Sequence, residues 1–191
     1  MTYLDELGVF VEKQKKALVK IRLIAFDVDG VLTNGELHYQ GDGEVTKVFN
    51  VRDGVGLKLL QDFGIEVAIV TAKDSAMVRK RVTELGIKHY FPGTKDKHAT
   101  LKSLCEQLDL DVDQSAFVGD DVVDCSAMAA SGISFCPSNA YPLVKNYADI
   151  VLNIGGGQGV ARMVADILLI AKGKYEEAYQ LATSSIFERN R

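Results

Sequence analysis

Two aspartates one residue apart, Asp27 and Asp29, end the largely apolar run Ile21-Arg22-Leu23-Ile24-Ala25-Phe26 and are followed by Gly30. The run has the composition of a buried parallel strand. Open α/β sheets bind their ligands just past the carboxyl ends of such strands. Three more chemistry-bearing elements fall in equivalent places. Thr71 directly follows the apolar run 65–70, Lys97 opens a helix, and Gly119-Asp120-Asp121, with Asp124 beyond, follows Ala116-Phe117-Val118.

Together these residues match the demands of phosphate-ester hydrolysis. A nucleophile must approach a dianion, and a hard cation such as Mg²⁺, bound through oxygen, offsets that charge. Asp27 and Asp120 offer carboxylate oxygens and the Asp29 carbonyl a third ligand. Thr71 Oγ can hold a phosphoryl oxygen, and Lys97 can set a fixed positive charge against the phosphoryl group and Asp27. Asp29 can protonate the leaving alkoxide and later deprotonate water. A covalent aspartyl-phosphate divides the reaction into two easier steps. Each element alone has a plainer reading: Lys97 as a solvated helix start, Asp121 and Asp124 as helix caps. The ordered set at one sheet edge points to chemistry.

The elements that would position these residues alternate. An amphipathic helix over residues 3–20 precedes a strand at 21–26. A β-hairpin is expected over about residues 36–51, turning at Gly41-Asp42-Gly43. A helix then opens at Asp53-Gly54, with Asp53 as its cap. Strands follow at 65–70, 89–91, 115–118, 133–135 and 149–152. Helices are expected at about 74–86, 96–108, 122–130, 141–147, 160–171 and 175–184, and Gly155-Gly156-Gly157-Gln158-Gly159 forms a tight turn at the rim of the site. This alternation predicts a Rossmann-like three-layer α/β/α fold with a mainly parallel central sheet, a small hairpin insertion and no large cap domain. A single domain over residues 1–191 is expected.

Composition narrows the function further. Of 191 residues 47% are hydrophobic and 25% charged, and the formal net charge is −4. There is no basic excess to neutralise a nucleic-acid backbone. The first twenty residues fit neither a secretory signal nor a membrane span. Three cysteines, Cys105, Cys125 and Cys136, show no metal-ligand spacing and are expected to be reduced thiols in the cytoplasm. His38, His89 and His98 show no zinc spacing either.

The set resembles the haloacid dehalogenase superfamily: Asp27-Val28-Asp29-Gly30, Thr71, Lys97, and Gly119-Asp120-Asp121 with Asp124. The resemblance implies that Asp27 is the nucleophile and Asp29 the acid/base. It further implies that Asp27, Asp29 and Asp120 ligate Mg²⁺, with Asp121 and Asp124 orienting the metal's surroundings. Asp27 to Thr33, Phe49-Asn50-Val51-Arg52-Asp53-Gly54 and the glycine-rich turn are similar to the small capless branch that contains 3-deoxy-D-manno-octulosonate 8-phosphate phosphatases. That branch implies a phosphorylated 2-keto-3-deoxy sugar acid as substrate, a role in lipopolysaccharide synthesis, and a homotetramer whose hairpins assemble together. Two motifs depart from the branch. Ala72-Lys73 stands where Gly-Arg is usual, and Gln158 where an Arg is usual. Both remove a guanidinium suited to bidentate carboxylate recognition, leaving Arg52, Lys73 and Arg79 as candidates to supply the charge. A nine-carbon ulosonate 9-phosphate, a noncatalytic oligomerisation module and a phospho-accepting receiver domain are the competing readings.

Overall fold

The structure, a computed structural model, describes residues 2–40 and 43–187. Helix α1 (Tyr3–Leu18) leads into β1 (Leu23–Phe26), and the hairpin β2 (His38–Gln40) and β3 (Gly43–Thr46) precedes α2 (Val51–Asp62). Then come β4 (Glu66–Val70), α3 (Ala76–Glu84), β5 (His89–Phe91), α4 (Lys97–Gln107), β6 (Ser115–Val118), α5 (Cys125–Ala130), β7 (Ile133–Cys136), β8 (Ile150–Val151), α6 (Val160–Ala171) and α7 (Tyr175–Thr183).

Six strands form one parallel sheet in the order β5-β4-β1-β6-β7-β8. Period-two alternation splits β1 between two cores. Ile24 and Phe26 face the larger core, with side chains of α1, α2, α3 and α6. Leu23 and Ala25 face the smaller one, with Leu101, Leu104 and Cys105 of α4 and Ala127 and Met128 of α5. Helix α6 is apolar almost all round and buries ten of its twelve residues, because it is wrapped by α1, α2 and α7 rather than lying at the surface.

Several boundaries differ from the sequence reading. Helix α2 starts at Val51, capped by the Asn50 side chain, which accepts the Arg52 N–H. Asp53 therefore lies inside that helix, and its Oδ1 instead accepts the N–H of Arg162 at the start of α6. The expected helix at 141–147 is a single 3-10 turn, Val144–Asn146. The segment before α5 is likewise a 3-10 turn, Val122–Asp124. The second hairpin arm ends as a strand at Thr46, short of 51. The expected turn residues Gly41 and Asp42 lie outside the described residues.

Candidate active site

Strands β4, β1 and β6 are adjacent, and Phe26 pairs with both Ile69 and Val118. Their exits therefore share one edge, which brings Asp27, Thr71 and the Gly119-Asp120 turn together. The Asp27 N–H donates to the Val118 carbonyl at 2.9 Å. Past it the chain turns sharply: the Val28 carbonyl accepts the N–H groups of Leu32 (2.9 Å) and Thr33 (3.1 Å). Gly30 has φ +90°, and a Cβ there would lie 2.0 Å from Asp120 Oδ2. Only glycine admits Asp120 this close. The glycine-rich turn supports the same loop, since the Gly157 N–H donates to the Val31 carbonyl (2.9 Å) and a Cβ on Gly156 would meet the Gly30 carbonyl oxygen at 1.9 Å.

Lys97, the first residue of α4, is 3% exposed. Its Nζ lies 2.8 Å from Asp27 Oδ1 and 2.6 Å from Asp124 Oδ1. Asp124 is fully buried, and its Oδ2 accepts the N–H groups of Asp120 (3.0 Å) and Asp121 (3.2 Å). It thus ties the β6 exit to the lysine. Asp121 is exposed and accepts the N–H of Val122, a capping role. Thr71 is buried, and its Oγ1 accepts the Lys73 N–H at 3.4 Å. Asp29 pairs with Lys47 of the hairpin's second arm.

Oxygens of Asp27, Asp120 and Asp124 lie within 4.8 Å of one another. Three carboxylates share one ammonium, so the cluster is short of positive charge. Burial, then the charge of Asp124, pushes the Asp27 carboxyl up to about 6 against the pull of Lys97. Burial, then the charges of Asp27, Asp124 and Asp121, pushes Asp120 up to about 7. Burial alone would lower Lys97, but Asp27 and Asp124 outweigh it and hold the ammonium above its ordinary value. Asp120 Oδ1 is buried without a hydrogen-bond partner. An all-oxygen donor set with an unsatisfied, charge-poor acceptor fits a hard divalent cation.

The candidate substrate residues are arranged differently. Arg79 is held by Asp74 at 2.7 Å and lies over the Tyr90 ring. Lys73 lies over the ring of Tyr39 in β2, 5.8 Å from its centroid. Arg52 Nη2 donates to the Gln158 carbonyl at 2.9 Å, and Gln158 Oε1 accepts the Gly155 N–H. Arg52 and Gln158 border an open pocket of about 370 Å³ with Tyr3, Arg162 and Tyr175. Lys47 was not singled out in the sequence, where it is one lysine in a hairpin arm; its meeting with Asp29 is a tertiary contact. His89 pairs with Glu66 at 3.1 Å and His38 lies 3.7 Å from Glu36, so both hold partners outside the acid cluster.

A family model described as a haloacid dehalogenase-like hydrolase matches residues 45–132. The 3-deoxy-D-manno-octulosonate 8-phosphate phosphatase KdsC of Haemophilus influenzae is 44% identical over 160 residues, 84% of this chain and 89% of that protein. The solved structure of the cobalt-bound deoxy-D-mannose-octulosonate 8-phosphate phosphatase from the same organism matches with TM-score 0.82 and 41% identity, covering 86% of this chain and 99% of that one. A Moraxella catarrhalis 3-deoxy-D-manno-octulosonate 8-phosphate phosphatase, solved with magnesium ion, phosphate ion and KDO, matches with TM-score 0.85 and 34% identity, covering 89% and 97%. Identity at this level, running through most of both chains and over the same parallel fold, means that the chain belongs to the KdsC family of haloacid dehalogenase-like hydrolases and is a phosphoric monoester hydrolase.

Proposed function

We propose that the chain hydrolyses 3-deoxy-D-manno-octulosonate 8-phosphate, with Mg²⁺, in lipopolysaccharide biosynthesis. The observation that carries this reading is the Asp27–Lys97–Asp124 bridge beside the unpartnered oxygen of Asp120. The Haemophilus and Moraxella relatives support the sugar-acid substrate.

Asp27, Asp120 and the Asp29 carbonyl would hold the ion, which supplies charge neutralisation for a phosphoryl dianion. The remaining work falls to the chain. An Asp27 carboxylate oxygen forms a bond to phosphorus as the bond from phosphorus to the sugar oxygen breaks. Asp29 gives that leaving oxygen its proton. Lys97 holds the second Asp27 oxygen and the Thr71 hydroxyl donates to a phosphoryl oxygen. Asp29 then takes a proton from water, whose oxygen attacks phosphorus and releases Asp27 and phosphate. Asp124 positions Lys97, and Asp121 secures the turn that carries Asp120. Arg52, Lys73, Arg79 and Gln158 are the candidates for contacts to the sugar acid. The working form is a cytoplasmic homotetramer assembled through the hairpins, with no nucleic-acid or membrane partner, and residues 1–191 act as one domain. No helix among the described residues is long and apolar enough to cross a membrane.

Phosphate release from the eight-carbon and nine-carbon ulosonate phosphates, with Mg²⁺ and with Asp27→Asn as control, tests the reading. The eight-carbon ester is expected to have the larger kcat/KM. A preference for the nine-carbon ester overturns the substrate assignment. Equal background release from both proteins leaves the assembly-module reading.

A further inference from the structure

Lys47 follows the last strand of the hairpin, 18 residues beyond Asp29 in the chain, yet its ammonium meets Asp29 Oδ1. The Lys47 side chain is only 2% exposed, whereas that of Asp29 is 29% exposed. A surface ion pair leaves both long side chains in water and contributes little. Here the lysine is buried and the carboxyl keeps an open side toward solvent. Taking an ammonium out of water is unfavourable unless specific partners meet it, and one of them is the carboxyl proposed to serve the leaving oxygen. Thr33 Oγ1 lies 3.5 Å from the same Asp29 oxygen. The hairpin is also held at its first arm, where the Tyr39 ring meets the Lys73 ammonium beyond Thr71. Both arms therefore dock at the rim of the site in their own chain.

We propose that Lys47 is a positioning residue that fixes the Asp29 carboxyl for proton delivery to the leaving oxygen, making the hairpin a working part of the site. The inference rests on the acid/base reading of Asp29.

A pair of esters reports on this contact. Hydrolysis of the sugar-acid alkyl phosphate needs a proton on its leaving oxygen, whereas p-nitrophenyl phosphate releases a stabilised anion and does not. Lys47→Met is expected to lower kcat/KM on the alkyl ester, which reports the phosphoryl-transfer step alone, about 10- to 100-fold, within the range of general acid–base catalysis. On the aryl ester the loss in kcat/KM is expected to be under about threefold, since that first step needs no proton there; the later attack of water, which also uses Asp29, enters kcat alike for both esters. Lys47→Arg, which keeps the cation, should recover most of the loss. Asp29→Asn should discriminate between the esters in the same direction, and adding Lys47→Met to it should cost nothing further, as for two residues acting through one contact. The ratio of the two esters on one preparation is independent of the fraction folded. Equal losses in kcat/KM on both esters, or full additivity with Asp29→Asn, would each overturn the proposal. If Asp29→Asn fails to discriminate, the acid/base reading falls and this inference with it.

Discussion

Lys97 sits between two buried carboxylates, so its loss leaves like charges facing each other out of water. Lys97→Met is expected to abolish turnover. At pH 8 it should also destabilise the metal-free fold by about 3 kcal/mol, the usual cost of breaking a buried pair, as read by chemical denaturation. The raised carboxyls give a second expectation. Asp27 and Asp120 bind protons more tightly in the fold (to about 6 and about 7) than in the unfolded chain. Between about pH 4 and 7 the native state therefore holds more protons, and the contribution of these groups to stability falls as pH rises through that window. A divalent cation competes with those protons. The rise in Tm on adding Mg²⁺ to chelator-treated protein should be larger at pH 8 than at pH 5.5. An equal rise at both would show that the ion binds elsewhere.

Helix α6, directly after the glycine-rich turn, packs against α2. Gly56 permits this packing, because a Cβ there would lie 2.7 Å from the Arg162 Cα. Asp53, 4% exposed, bridges the pair by accepting the Arg162 N–H at 3.0 Å, while its Oδ2 is buried and unpartnered. Burial pushes its carboxyl up to about 6 against the lowering effect of the α6 N–H groups. Asp53→Ala should cost about 1–2 kcal/mol, as for a lost helix cap. Asp53→Asn keeps the acceptor and has no charge to bury, so it should cost less than the alanine variant at pH 8. It should also flatten the decline in stability that Asp53 adds as pH rises from about 4 through 6. Urea unfolding at two pH values measures both.

At the scale of the molecule, apolar side chains around the hairpin stand in water: Tyr39 is 63% exposed, Val48 65% and Val51 77%. Exposed apolar groups of this kind mark a candidate interaction surface, here the hairpin-to-hairpin assembly proposed for the tetramer. Val48→Asp is expected to shift the mass in light scattering from four chains toward fewer. An unchanged mass would place any assembly surface elsewhere.

The run from Ile21 to Gly30, the apolar stretches before Thr71 and Gly119, and the turn residues between them were legible because each is local. Strand period, glycine punctuation and the acidic residues at strand exits are written within a few neighbours. Parallel connection then carries Asp27, Thr71 and Asp120 to one edge, since adjacent strands β4, β1 and β6 run in the same direction. The partner of each polar group was not local. Asp53 resembled a cap for its own helix and serves α6 instead, 109 residues away. Asp124 had the appearance of a cap and holds Lys97, while Lys47, one cation among many in the chain, reaches Asp29. Which buried charge meets which depends on how whole helices and the hairpin pack over the sheet, because the need to satisfy a desolvated group can be met by any element that packing brings within reach.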